Sequence, residues 1–322
     1  MTYNYFKEFQ RMMNMINQMH HVSAITKDIQ YNNHFFTKIL GLRRVKKTVN
    51  QDDTSMYHLF YADKIGSIGT DMTFFEIKNS QPVRYGTNAV TMTIFRVQSI
   101  EALQFFEDRF NSFNIRHEGI SKYSGKDALK FYDVENQRMM LIVDPVEEDV
   151  VPFGNNGEIV EKYRITSIHG VEVTVQYQVA FTETLKLLGG IVDEDFKNQD
   201  DTVIKIGDDR IYVKENRSPI MEQQGYGSVH HFAVNVHSLS ELKELEHLLN
   251  DEHYVNSGIV DRYYFTSLYI NVPGNIIVEL AVHTNGFTVD EPIETLGKKL
   301  SLPPFLEENR DFIELYLKDI EV

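Results

Sequence analysis

The sequence contains no cysteine. Disulfides, thiolate catalysis, zinc–thiolate sites and iron–sulfur clusters are therefore excluded. Any metal must sit on His, Asp, Glu or Tyr. Basic residues are few: 32 Lys and Arg stand against 47 Asp and Glu, a formal net charge of −15. That excess argues against a nucleic-acid partner, which needs a basic footprint, and against anchoring on anionic lipid. No run approaches the roughly 20 apolar residues of a membrane span. The first residues, MTYNYFKEFQRMMNMINQ, lack the apolar core of a signal peptide, so a cytoplasmic protein is expected. No GxxxxGK[ST], GxSxG or convincing GxGxxG occurs, and Gly225-Tyr226-Gly227 is too short for a phosphate loop. An enzyme or binding protein acting on a small molecule remains.

What is present is a repeat. From Met19 the chain reads strand (HHVSAIT), helix (DIQYNNHFFTKILGL), then three strand-like runs (RRVKKTV, SMYHLFYAD, TDMTFFEI). Asp28 is placed to cap the helix start and Gly41 its end. The same β-α-β-β-β order recurs from NAVTMTIFRV, HGVEVTVQ and HHFAVNV. Four such modules in 322 residues predict an α+β fold of two domains with curled, mainly antiparallel sheets. The expected division is an N-terminal extension 1–18, a first domain 19–150 and a second domain 151–322 with a C-terminal tail. The acidic, Gly/Asn-rich stretch 146–158 reads as the linker. Module one beside module four is one arrangement that would bring distant residues together.

Two adjacent histidine pairs, His20-His21 and His230-His231, open the first strands of modules one and four. Strand alternation sends one member of each pair to either face. Module three has Ile168-His169-Gly170 at the matching place and module two Asn88-Ala89-Val90, so both lack the second histidine. The last strand of module four carries a lone carboxylate, Glu279, in the apolar run IIVELAV. A buried Glu is costly unless paired or on a metal. Two His and one carboxylate are the ligand set of non-haem Fe(II) oxygenases. The competing reading makes the histidines ordinary core residues and pairs Glu279 with Arg262. An ion pair of Arg262 with Asp261 is also open.

The stretches HHVSAIT, KILGLRRVKKTVNQDD, YHLFYADKIGSIGTDMTFF, VHHFAV, DRYYFTSLYINVPGNIIVELA and GFTVDEP resemble the vicinal-oxygen-chelate superfamily, and within it the hydroquinone-cleaving, extradiol-type ring-cleaving dioxygenases. The resemblance runs from about residue 19 to the C-terminus. It implies Fe(II), or Mn(II) on the same ligands, held by His21, His231 and Glu279, with O2 as co-substrate. It implies that His20, His230, Arg262 and Tyr269 serve catalysis around the metal and that Ser23 lines the substrate pocket. It further implies a small aromatic diol as substrate, most simply a hydroquinone, and a homodimer or larger assembly. A catechol-type extradiol dioxygenase, a glyoxalase-like lyase or isomerase with a redox-inert metal, and a metal-free quinone- or drug-binding protein are the alternatives. Glu76 is a departure: in TFFEI it is expected to hold in module one the place of Glu279, as an ion-paired or rim residue. His58, His169 and His283 are expected to be structural.

Overall fold

The computed structural model describes residues 15–146, 159–196 and 201–320. Most of the predicted extension, and the linker from residue 147 to 158, lie outside the described residues.

Each module forms in the expected order. Module one is β1 (Ile16–Thr26), α1 (Ile29–His34), β2 (Arg43–Val49), β3 (Tyr57–Ala62) and β4 (Asp71–Glu76). Module two is β5 (Ala89–Val97), α2 (Ile100–Ser112), β6 (His117–Tyr123), β7 (Lys126–Tyr132) and β8 (Arg138–Val143). Module three is β9 (Ile165–Val175), α3 (Gln178–Leu187), β10 (Ile191–Val192), β11 (Asp201–Ile206) and β12 (Asp209–Glu215). Module four is β13 (Val229–Val236), α4 (Leu239–Asp251), β14 (Asn256–Asp261), β15 (Phe265–Val272) and β16 (Ile276–His283). The Asp28 side chain does cap α1, accepting from the Tyr31 N–H at 3.1 Å. The helix then widens into a π turn over Phe35–Ile39 before Gly41, whose φ of +76° suits glycine. The first strand begins at Ile16 rather than Met19, because Met15 and Ile16 are apolar and join the core.

The strands make two eight-stranded sheets, ordered β14-β15-β16-β13-β1-β4-β3-β2 and β10-β11-β12-β9-β5-β8-β7-β6. The first sheet thus joins modules one and four, and the second joins modules two and three. Neither sheet follows a division at residue 150. The arrangement that sets module one beside module four is the one that forms. Within each module the first strand runs parallel to the last, and the two modules of a sheet meet through an antiparallel pair, β1–β13 or β5–β9. These first strands are largely buried on both faces, so pairing them at the sheet centre covers edges that each module alone would expose.

One face of each sheet joins the helices in the main apolar core; Met19, Val22 and Ala24 of β1 and Val278 and Leu280 of β16 point there. By the two-residue period, His21, Ser23 and Glu279 point to the opposite face. On the second sheet that opposite face is filled by Met92, Ile94, Met140, Ile142, Val203 and Tyr212. On the first sheet it is hollow.

The C-terminal segment ties this half together. Lys46 on β2 is wholly buried, and its Nζ donates to Asp290 Oδ1 and Glu291 Oε2, both at 2.6 Å, and to the Phe287 carbonyl at 3.1 Å. These acceptors lie in the GFTVDEP stretch. The Tyr264 hydroxyl donates to Asp290 Oδ2 at 2.9 Å. Among the described residues no helix is long and apolar enough to cross a membrane.

Candidate metal centre

The β1–β13 pair shifts register three times, and two of the shifts fall at the histidine pairs. Met19 faces Val234 while His21 faces Ala233, so His20 is an extra residue in β1. Ser23 faces His231 while Ala24 faces Val229, so His230 is an extra residue in β13. A bulge re-aims neighbouring side chains. Strict alternation would part the two rings of each pair; instead they meet edge on. His20 Nδ1 lies 2.9 Å from His21 Nδ1, and His230 Nδ1 lies 2.7 Å from His231 Nδ1. Each inner ring therefore has one nitrogen held by its neighbour and its Nε2 aimed at the centre. A metal-binding imidazole needs that arrangement.

Glu279 arrives from β16, two positions beyond the His231 register partner Ile277. Its Oε2 is 3.1 Å from His21 Nε2 and 2.9 Å from His231 Nε2, and the two Nε2 atoms are 3.3 Å apart. All three residues are buried. Ser267 donates to Glu279 Oε1 at 2.5 Å, but Glu279 Oε2 forms no hydrogen bond despite its close neighbours. Lone pairs from three side chains thus converge on one buried point. Neutral nitrogens and an anionic oxygen there fit a divalent metal ion. Burial favours the neutral imidazole of His231, lowering its pKa, and pushes His230 down to about 4. For Glu279 burial opposes the charge, yet His21 and His231 hold the carboxyl well below the usual range. Of all His, Asp and Glu described, these three are the group whose ligand atoms cluster for a metal, within 4.8 Å of one another.

The centre opens into a cavity of about 520 Å³. Phe60, Phe75, Tyr264, Phe265 and Ile277 form its apolar wall, while His230, Tyr269, Arg262 and Ser23 are among its polar residues. The Tyr269 ring stands 5.8 Å from that of His231, and the Arg262 guanidinium lies 5.3 Å from the Tyr269 ring centre. Burial raises the Tyr269 phenol, which stays protonated. Arg262 pairs with neither Asp261 nor Glu279. It makes two hydrogen bonds to the Asp52 carboxylate, at 3.1 and 3.0 Å, across the module boundary. Asp261 is otherwise engaged, accepting from the Tyr263 N–H at 2.7 Å in the β14–β15 turn. His20 is the one predicted catalytic residue outside the cavity lining: it lies behind His21, against Phe265. Ser23 lines the cavity and meets Thr73 Oγ1 at 2.7 Å.

The register corrects two equivalences. Glu279 faces Ala233, two residues after His231; in module one the residue facing Ser23, two after His21, is Thr73. Thr73, not Glu76, holds the place of Glu279. Glu76 lies three residues on, faces Thr26 and has Lys78 Nζ at 3.6 Å. In module two the bulged residue of β5 is Thr91, so Thr91-Met92, not Asn88-Ala89, matches the histidine pair. In module three His169 is the bulged residue and Gly170 follows it, as read from sequence. His169 is held by Asp144 and Tyr212, at 2.8 and 2.9 Å. Glu76→Gln should therefore leave metal content unchanged; loss of metal in that variant, measured by elemental analysis, would place the ligand carboxylate wrongly.

Sequence reasoning missed Ser267, Asp52 and the cavity position of His58. Ser267 had a signal, since it shares a strand face with Tyr269. Asp52 sits in a polar turn and had none.

No family profile matches the chain. A Bacillus subtilis (strain 168) protein named "Putative ring-cleaving dioxygenase MhqA" is 40% identical, over 95% of this chain and 99% of its own. The "Chlorohydroquinone/hydroquinone 1,2-dioxygenase" of Sphingobium indicum is 22% identical, over 91% of this chain and 93% of its own. Among solved structures, one named "putative dioxygenase from Bacillus subtilis subsp. subtilis str. 168" matches with a TM-score of 0.88 at 28% identity, covering 96% of this chain and 99% of its own. Glyoxalase I of Zea mays, as a V278E mutant, shares the fold at a TM-score of 0.60 and 11% identity, over 87% of this chain and 97% of its own. Two sheets of paired βαβββ modules, a buried two-histidine, one-glutamate cluster and a full-length relative of this kind agree: the chain belongs to the ring-cleaving dioxygenase family of the vicinal-oxygen-chelate fold.

Proposed function

We propose that the protein holds one Fe(II) on His21, His231 and Glu279 and uses O2 to cleave the ring of an aromatic diol, a hydroquinone. The observation that carries this reading is the convergence of Glu279 Oε2 with two imidazole Nε2 atoms, 3.1 and 2.9 Å away, at a buried point on the floor of an aromatic cavity. Ferrous iron bound there would accept a phenolate and couple its electrons to O2. Mn(II) suits the same donors.

The protein groups have separable tasks. Phe60, Phe75 and Phe265 wall the ring in and exclude water. Arg262, fixed by Asp52, offers its charge to an anionic oxygen of the substrate. Tyr269, protonated beside Arg262, and His230, neutral and cavity-facing, are placed to give or take a proton. His20 from behind and His230 from the cavity side fix the rings of the two ligands. A glyoxalase-like lyase is disfavoured because it draws a fourth ligand from the paired module, and Thr73 stands at that place. The name of the Sphingobium relative favours a hydroquinone over a catechol.

The test is O2 uptake by anaerobically Fe(II)-loaded protein given a panel of hydroquinones and catechols. Uptake matched one-to-one by hydroquinone loss supports the reading. Uptake with catechols alone would move the assignment to an ortho-diol, and one bound metal with no uptake would favour a redox-neutral reaction. Arg262→Lys should raise KM for the substrate about tenfold, because an ammonium cannot keep both bonds to Asp52 and still face the cavity. An unchanged KM in steady-state assays would remove Arg262 from substrate binding.

A further inference from the structure

The cavity has a second polar pole, built where module one lacks the metal carboxylate. Thr73 is wholly buried there, and its Oγ1 meets Ser23 Oγ at 2.7 Å and His58 Nε2 at 3.0 Å. His58 lines the cavity. Its ring is wedged between Phe60 and Phe75, with centroid distances of 4.1 and 4.2 Å. Phe75 in turn lies 5.7 Å from the His230 ring and 6.3 Å from the His231 ring, so one aromatic wall runs from His58 to the metal centre. The other ring nitrogen of His58, Nδ1, makes no hydrogen bond among the described residues. An imidazole clamped on both sides and buttressed at one nitrogen keeps its other nitrogen unused in the cavity wall.

We infer that His58, buttressed by Thr73, receives the hydroxyl of a para-diol remote from the metal centre, and so selects hydroquinones against monophenols and ortho-diols. The inference rests on the ring-cleavage reading for the end at which the substrate enters the metal centre. Ser23 follows His21 by two residues on one strand face, an advance of about 6.6 Å, so the pole formed by Ser23, Thr73 and His58 lies farther along the cavity than the metal centre. An ortho-diol keeps both oxygens at the metal end, and a monophenol has none at the far end. A hydroxyl both donates and accepts, so either tautomer of a neutral imidazole can pair with it.

The test measures anaerobic binding of hydroquinone and of 4-methylphenol, which lacks the second hydroxyl, to the Fe(II)-loaded full chain. His58→Phe should weaken hydroquinone about tenfold, the worth of one hydrogen bond. Affinity for 4-methylphenol and iron content should not change. Thr73→Val, which removes the buttress and keeps the shape, should show the same selectivity with a smaller loss. Equal weakening of both ligands, unchanged hydroquinone affinity in both variants, or loss of iron in both would each overturn the inference. Should the wild-type protein prefer hydroquinone over 4-methylphenol yet consume no O2 with it, the ring-cleavage reading fails, and the affinity comparison still decides on His58.

Discussion

Glu279→Ala is expected to lose its metal and, with it, all measurable turnover. Three atoms make the site, and Glu279 supplies the charge among them, since burial lowers the pKa of His231 and favours its uncharged form. Without the carboxylate, a dication would face neutral nitrogens in a site walled from water, where charge is costly. Outer-shell changes around metal sites cost 10–100-fold in affinity; removing an anionic ligand should exceed about 100-fold. His231→Ala should behave alike. Ser267→Ala leaves the ligands and removes only the 2.5 Å hydrogen bond to Glu279 Oε1, so it should weaken the metal by about tenfold. Metal titration under anaerobic conditions checks the series. Equal retention of metal by all three variants would mean that the buried cluster is structural.

The second large effect is on stability. Lys46→Met should destabilise the fold by about 3–5 kcal/mol, because it strands two carboxylates around a vanished cation. Asp290 and Glu291 each lie 2.6 Å from Nζ, and the lysine side chain is wholly buried. At this chain size the loss corresponds to a fall in Tm of roughly 6–10 °C, read by thermal unfolding. Combining Lys46→Met with Asp290→Asn and Glu291→Gln should recover much of it, since neutral groups of similar shape replace the whole cluster. A single variant as stable as the parent would show that the buried lysine contributes only geometry. Tyr264 connects this cluster to the catalytic cavity, because it donates to Asp290 and lines the cavity wall.

Much of this molecule was legible from its residues. The four modules follow from local periodicity, and local periodicity formed as read. Glu279 stood out because a carboxylate in an apolar strand needs a reason. His21 and His231 stood out because the places matched to them by sequence, Asn88-Ala89-Val90 in module two and Ile168-His169-Gly170 in module three, lack the second histidine. Non-local pairing was harder to read. Which modules share a sheet depends on which strand edges meet, and both groupings satisfy the same hydrophobic pattern. The bulges at His20 and His230 leave no mark in a two-residue alternation, yet they bring each histidine pair edge to edge. Motif position alone assigns Glu76 to the place that Thr73 holds, three residues away, because the pairing register is not written in the local pattern. Asp52 and Arg262, 210 positions apart, meet only because β2–β3 and β14–β15 turns close over one cavity. Sequence pattern encodes faces well and long-range closure poorly.

The central claim is that both atoms of O2 enter a carbon–carbon bond cleaved over His21, His231 and Glu279. The most direct measurement is mass spectrometry of the product formed by Fe(II)-loaded protein from hydroquinone under isotopically heavy O2, read before the aldehyde exchanges with water. The account predicts a ring-opened product carrying both heavy oxygen atoms, and none from the Glu279→Ala protein. A ring-opened or isomerised product without heavy oxygen, or a quinone formed with no oxygen incorporated, would contradict it.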